Sequence, residues 1–140
     1  MKAIIQSFIV VIVLGCATAN CEDAPKKVSI APKNDLSAIA VADPLGRGFG
    51  SSVCGSNLSK EYQEGNRIGT KNDHYGTRNK LVIDDGKSAF PATDKETGLP
   101  IIVLTEAKLT KELQDLVRGY NSAMQSAFEQ RKKRTEQAAP

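Results

Sequence analysis

The residues that could form a catalytic pair are Cys54 and His74, with Ser52 as a second candidate nucleophile. Either nucleophile would need a histidine base within hydrogen-bond reach, and His74 is the chain's single histidine. Ser52 lacks the glycine two positions later that a nucleophile elbow requires, because Cys54 stands there. A dyad of Cys54 and His74 would require a free thiol. The sequence therefore predicts that the protein is not an enzyme, with a small secreted hydrolase kept as an alternative.

The sequence also lacks the side chains that a metal site or a nucleotide site would need. A transition-metal site needs three or four converging ligands, and one histidine with two cysteines falls short of that. Gly50 and Gly55 have the spacing of a phosphate-binding loop, but Ser56 stands where the loop needs its lysine. We therefore predict no cofactor and no metal, and interpret the glycine-rich stretch 46–56 as an irregular loop.

The amino-terminal segment has the pattern of an export signal. Lys2 supplies a positive charge, residues 8–14 form an uncharged apolar run, and small residues follow. Residues 17–19 have the small-x-small form that signal peptidase accepts. On this route residues 1–19 are the signal peptide, and a soluble, secreted chain begins at Asn20.

A second processing route is present in the same segment. Val13-Leu14-Gly15-Cys16 resembles the lipobox of bacterial lipoproteins. The resemblance implies removal of residues 1–15 and attachment of membrane lipid to Cys16, which places the chain in the cell envelope. An uncleaved membrane anchor is a third alternative, although the apolar stretch is short for a span.

Two cysteines remain whichever cleavage occurs. Cys16 is lipidated on one route and discarded on the other, which leaves Cys21 and Cys54. An exported protein folds in an oxidising compartment, so one disulfide bond between them is predicted. Closing a loop of 33 positions would stabilise the fold by about 3 to 4 kcal/mol in the chain-entropy model. Two free thiols are the alternative.

Length and charge limit the architecture and the partners. The chain has 140 residues, so the mature part is long enough for one small domain. The net charge is only +3 and both signs are interspersed, which argues against nucleic-acid binding. The basic cluster 131–134 is explained by its place at a helix end, where cations complement the macrodipole.

The first part of the mature chain is predicted to be poorly ordered. Residues 20–45 combine prolines and charged residues with isolated apolar ones, which is typical of a flexible tether. The domain is expected over residues 46–140. Ser59 is predicted to cap a short helical turn that ends at Gly65, and a polar loop or short hairpin is predicted over 65–79.

Residues 80–104 have the pattern of a small sheet. Two short runs, 81–84 and 87–90, flank Asp85-Gly86, a pair that supplies the positive φ angles of a hairpin turn. Residues 99–104 are the most apolar run of the mature chain and predict a strand buried on both faces. The expected sheet is antiparallel, a hairpin plus one strand.

The C-terminal region has the clearest helical periodicity, and Thr105 is its predicted cap. The apolar positions that share one side are Leu109, Leu113, Leu116, Val117, Tyr120, Met124 and Phe128. The sheet is expected to cover the first half of this stripe. Its far end, Tyr120, Met124 and Phe128, is the predicted face for a partner helix, in a homo-oligomer or with another envelope protein. The alternative is that N-terminal loops fold back over the stripe.

Together these patterns predict an α+β fold, with a small antiparallel sheet packed on a long C-terminal helix after a disordered N-terminal tether. The leading functional hypothesis is an exported, lipid-anchored bacterial cell-envelope protein that acts as a non-enzymatic structural or interaction module. A soluble secreted binding or effector protein with one disulfide is the first alternative.

Overall fold

The computed structural model describes residues 24–30, 36–50, 57–105 and 108–138. Within these ranges the chain forms the elements β1 (Lys26–Ser29), α1 (Lys60–His74), β2 (Lys80–Ile83), β3 (Ile101–Thr105) and α2 (Lys111–Gln137). The leader with Cys16, and both Cys21 and Cys54, lie outside the described residues. The lipid attachment and the disulfide therefore stay predictions.

The three strands form one parallel sheet in the order β1-β3-β2. Lys26 of β1 aligns with Ile102 of β3, and Lys80 of β2 aligns with Ile101. The predicted antiparallel sheet is therefore wrong. Parallel neighbours need a crossover of a dozen or more residues, and residues 84–100 provide it between β2 and β3.

The turn signal at Asp85-Gly86 is correct locally, but it does not close a hairpin. Gly86 has a φ of +69°, and the Asp85 carboxylate accepts hydrogen bonds from the backbone N–H groups of Lys87 and Ser88. The structure forms no strand over 87–90. A turn motif sets the dihedral angles of two residues, whereas the partner of a strand depends on which segment lies beside it.

β3 is the central strand, and its burial on both faces is confirmed. Residues 101–104 are all buried, and Val103 and Leu104 have no exposed surface. The prediction of a disordered tether over residues 20–45 is wrong, because β1 lies within this range and pairs with β3. Leu36, also in the predicted tether, is only 2% exposed and belongs to the hydrophobic core.

α1 departs furthest from the sequence prediction. Ser59 caps it as predicted, since its hydroxyl accepts a hydrogen bond from the Tyr62 N–H at 3.2 Å. The helix then continues through Gly65 and Gly69 to His74, so the predicted helix end and polar loop are wrong. A glycine in a helix interior costs about 1 kcal/mol relative to alanine. That cost must be offset by tertiary packing.

α1 and α2 supply this packing by approaching each other at the backbone. A Cβ atom on Gly65 would lie 1.9 Å from the carbonyl oxygen of Leu116, and one on Gly119 would lie 2.0 Å from that of Tyr62. Further along, Gly69 lies against Ala123, so the two helices run in the same direction. Only glycine permits such close approach.

The apolar stripe of α2 is confirmed in its central part. The buried members are Leu113, Leu116, Val117, Tyr120 and Met124. They pack mainly against α1 and less against β2, which corrects the expectation that the sheet would cover them. Thr110 caps the helix by accepting a hydrogen bond from the backbone N–H of Leu113, so the predicted cap at Thr105 is wrong. Leu109 precedes the helix and is 63% exposed.

Asn121 attaches α2 to the edge of the sheet. Its side-chain amide accepts a hydrogen bond from the Leu81 N–H at 2.9 Å and donates one to the Leu81 carbonyl at 2.8 Å. These are the two backbone groups that a neighbouring strand would otherwise pair. The Asn121 amide therefore satisfies the outward-facing backbone groups of β2 and fixes the position along that strand at which α2 packs.

Candidate functional site

A groove of about 610 Å³ opens where the amino-terminal halves of α1 and α2 meet the turn at residues 36–40. Its floor is apolar and is formed by Leu36, Ala40, Ile68 and Leu116. Leu36, Ile68 and Leu116 also belong to the hydrophobic core, so the floor is held rigidly by packing. The volume is within the range of sites that hold small molecules.

The rim of this groove is acidic. Glu61, Glu64 and Glu112 line it, together with the cation Arg67. Arg67 donates hydrogen bonds of 2.7 and 2.5 Å to Glu64, and this pairing lowers the pKa of the Glu64 carboxyl. Glu61 and Glu112 stand in the first turns of the two helices. The site thus combines an apolar floor with a net negative rim.

Helix capping positions part of this rim. The Thr110 hydroxyl oxygen accepts a hydrogen bond from the backbone N–H of Leu113 at 3.2 Å. Hydrogen bonds from the backbone N–H of Glu112 and from the Thr110 hydroxyl lower the pKa of the Glu112 carboxyl. Glu112 therefore stays ionised at neutral pH, as its place near the positive end of the helix dipole favours.

One wall of the groove is held by a buried polar network. The side chain of Asn72 donates to the Ile39 carbonyl and accepts from the Val41 N–H, both at 3.0 Å. It also donates to the Tyr120 hydroxyl at 3.1 Å, and that hydroxyl donates to Asn79 at 2.7 Å. Burial raises the pKa of Tyr120 to about 12, so its hydroxyl remains a donor. The network ties the N-terminal segment to both helices.

The predicted partner face does not form one exposed surface. Tyr120 and Met124 are 0% and 1% exposed, whereas Phe128 is half-buried. The N-terminal segment packs into the same core through Leu36, which lies beside Ile68 and Leu116 in the amino-terminal halves of the helices. A partner helix could reach Phe128 without disturbing the core, but not the other two residues.

His74 lies in an aromatic cluster at the end of α1. Its ring centroid is 5.2 Å from those of Phe49 and Tyr75. The Tyr75 hydroxyl donates a hydrogen bond of 2.8 Å to Asp43. Through Asp43 and Phe49, these contacts attach the start of the glycine-rich stretch and the residues just before it to the end of α1. The candidate nucleophiles, Ser52 and Cys54, lie outside the described residues.

Carboxylates elsewhere have structural partners. Asp84 lies 3.7 Å from the Lys27 ammonium, and Asp94 accepts hydrogen bonds from Lys80 at 2.6 Å and from the Thr97 hydroxyl. Within the described ranges, no three histidine, cysteine, aspartate or glutamate side chains come together as a metal site would require.

Neither described helix combines the length and the apolar character needed to cross a bilayer.

The sequence does not predict the groove, because the residues of its floor are far apart along the chain. Leu36, Ile68 and Leu116 are 32 and 48 positions apart. One signal was present, namely Gly65 and Gly69 four positions apart, a spacing that places two small residues on one helix face. In a stretch so rich in polar residues, the same two glycines also match a helix end followed by a loop.

No family model matches the chain, and no curated protein or solved structure is significantly similar to it. Its class is therefore defined by its own fold and site. It is an α+β domain with a three-stranded parallel sheet, a glycine-packed helix pair and an acidic, apolar-floored groove.

Proposed function

We propose that this chain is an exported, lipid-anchored bacterial cell-envelope protein that acts as a non-enzymatic interaction module. The anchoring part rests on the leader sequence and on Cys16 in its lipobox-like setting. The interaction part is carried by one observation, the apolar groove with an acidic rim between α1 and α2.

The chemistry of the groove favours a basic, amphipathic peptide segment of a partner protein. The floor at Ile68 and Leu116 offers apolar surface, and burying one leucine-sized side chain contributes roughly 1.5 to 3 kcal/mol. Glu61 and Glu112 on the rim attract a cation and disfavour an anion. A fatty acid would bring its carboxylate against charges of its own sign, so charge complementarity favours the basic peptide.

The lining of the groove supports binding rather than catalysis. Its residues include neither histidine nor cysteine. Glu64 is engaged by Arg67, and its lowered pKa makes it a poor proton donor at neutral pH. The hydrolase alternative would instead need Ser52 or Cys54 beside His74. The soluble secreted binding protein differs from the leading proposal only in lacking the lipid.

The anchor is tested by intact mass after expression in a bacterial host, with membrane and soluble fractions analysed separately. We expect residues 16–140 plus acyl groups in the membrane fraction. The Cys16→Ser variant should lose the acyl mass and move to the soluble fraction. A wild-type mass that begins at Asn20, found in the soluble fraction, would establish the secreted alternative and contradict the anchor.

The groove is tested with a fluorescently labelled helical peptide of leucine and lysine, and with a second peptide in which glutamate replaces lysine. Anisotropy should show binding of the lysine peptide only. Replacing Glu61 and Glu112 by Gln removes two negative charges from the rim, so binding of the lysine peptide should weaken about fivefold. The matched control replaces Glu129 and Glu136 by Gln, far from the groove, and should bind like wild type. Equal binding of both peptides would disprove charge-directed docking.

A further inference from the structure

α2 continues well past the part of the domain that covers it. Asn121 binds at Leu81, near the start of β2, and Met124 is the last fully buried residue of the helix. The helix then runs 13 further residues to Gln137, about 20 Å. Residues 132–138 are all exposed. We call residues 125–137 the basic arm.

The basic arm projects from the end of the molecule at which the chain enters the sheet. α1 ends at His74, six positions before β2 begins at Lys80, so the carboxyl end of α1 lies at the amino edge of the sheet. α2 runs in the same direction as α1, and its carboxyl end points the same way. β1, the first described strand, begins at this same edge with Lys26.

Side-chain contacts connect the arm to that edge. Asp73 accepts a hydrogen bond of 2.8 Å from Arg78 and another from Arg131 of the arm. Arg78 lines a cleft together with Pro25 and Lys26. Asp73 therefore joins the arm to the loop before β2, and the start of β1 lies across a cleft from Arg78 of that loop.

Positive charge prevails at this end. The arm and the adjacent edge of the domain include the cations Lys26, Arg78, Arg131, Lys132, Lys133 and Arg134, and the carboxylates Asp73, Glu129 and Glu136. Asp73 is already shared by two arginines. The groove with its acidic rim lies at the opposite end, at the first turns of the two helices. Next to the groove Lys60 and Lys111 flank Glu61 and Glu112, so the charges at that end are mixed. The excess of positive charge is therefore confined to the end where the chain enters the sheet.

We propose that the basic arm, with Lys26 and Arg78, docks on an anionic phospholipid bilayer and holds the groove away from the membrane. The inference rests on the proposed lipid anchor. Cys16 and Ala24 are eight positions apart, and a chain of that length spans at most about 29 Å. Lipid on Cys16 would keep the amino edge of the sheet near the bilayer, and the arm projects from that edge.

An anionic bilayer attracts the basic end more strongly than the groove end, where the charges are mixed, so it favours a single orientation. The anchor also brings this polyanion, rather than a nucleic acid or a soluble polyphosphate, within reach of the arm. Without the lipid anchor, nothing would hold the basic end of the domain close to a membrane.

The test uses the lipidated protein recovered from host membranes and reconstituted into vesicles of phosphatidylcholine alone or with about 30% phosphatidylglycerol. Trypsin cleavage after Arg134 is measured relative to cleavage after Lys87, in the exposed turn that follows β2. On anionic vesicles this ratio should fall at least about fivefold, and 0.5 M salt should restore it through screening.

Charge variants make the test specific. Lys132→Gln with Lys133→Gln should abolish the protection of Arg134, whereas Lys60→Gln with Lys111→Gln, at the opposite end, should retain it. Equal cleavage ratios on both vesicle types would overturn the docking surface. Protection on neutral vesicles would assign the arm to a second copy, and equal protection by added polyphosphate would assign it to polyanions in general; either result overturns the proposal.

Failure of the anchor is distinguishable from failure of the docking surface. If intact mass shows an unlipidated chain, the soluble protein is sedimented with the same vesicles. Binding to the anionic vesicles alone, lost in the Lys132→Gln/Lys133→Gln variant, would support the docking surface although the anchor had failed. Absence of binding would reject both.

Discussion

The two halves of α2 belong to one continuous helix and have opposite environments. Residues 111–124 bury an apolar stripe against α1, and the backbone at Gly119 meets that of Tyr62. Residues 125–137 expose most of their surface and carry the basic cluster. α1 has 15 residues whereas α2 has 27, so the partner helix is too short to cover the second half. The length of α2 is therefore not limited by the length of the surface that buries it.

This contrast separates stability from interaction. The first half holds the glycine contacts, the buried Tyr120 network and one side of the groove. The second half contributes little buried apolar surface, and its charged side chains are solvated. Substitutions in the first half should change the free energy of unfolding, whereas substitutions in the second should change only binding.

The largest effect is expected for Gly119→Ala. In an exposed helix interior this change would stabilise by about 1 kcal/mol. Here the new Cβ would lie 2.0 Å from the Tyr62 carbonyl oxygen, so the helices must separate. We expect a loss of at least about 3 kcal/mol, measured by urea unfolding followed by circular dichroism.

The control for this substitution is Gly48→Ala. A Cβ at Gly48 meets nothing within 4 Å, so the free energy of unfolding should change by less than about 0.5 kcal/mol. A Gly119→Ala variant as stable as this control would contradict the close approach of α1 and α2.

A smaller effect is expected for Tyr120→Phe. Loss of the hydroxyl removes a hydrogen bond from each of Asn72 and Asn79 inside the core, which should cost about 1 to 3 kcal/mol. The measurement is the urea midpoint near pH 7. Tyr75→Phe, which loses a bond to a more exposed Asp43, should cost less. Equal losses of stability in the two variants would mean that burying the Tyr120 network does not strengthen its contribution to stability.

The same tyrosine predicts a pH dependence. Burial raises the pKa of Tyr120 to about 12, above the ordinary value of about 10. Its contribution to stability is therefore complete below about pH 10 and is lost as the pH rises towards 12. Tyr120→Phe should flatten the fall in the urea midpoint over this window. An unchanged slope would show that Tyr120 does not titrate with unfolding.

The smallest effect on stability is expected in the basic arm. Lys132 and Lys133 are exposed, so replacing both by Gln should change the free energy of unfolding by less than about 0.5 kcal/mol. Thermal unfolding of the soluble form checks this. A large loss would show that the arm packs against the domain and would remove the contrast between the halves of α2.

Patterns that act over a few residues were sufficient for part of the fold. The apolar stripe from Leu113 to Met124 and the buried strand around Val103 were predicted because helical and strand periodicities are local properties. The cap at Ser59 was predicted for the same reason, since a cap needs only its own first turn. The groove could not be predicted, because no local pattern brings the 36–40 turn to α1 and α2.

The errors share one physical origin, which is long-range pairing. Lys26 of β1 pairs with Ile102, 76 positions later, and this contact turns a segment of tether-like composition into a strand. Gly65 reads as a helix end until the backbone of Leu116 is brought against it. In each case a local preference was overridden by a partner that is distant in the sequence.

The sequence by itself determined the apolar face of α2, the central strand, the Ser59 cap and the turn at Gly86, because these depend on neighbours within one or two helical turns. Only the tertiary structure decided the parallel sheet, the continuation of α1 through its glycines and the groove. Strand direction and backbone contact depend on which distant segment comes to lie alongside, and that choice is made by the packing of the whole core.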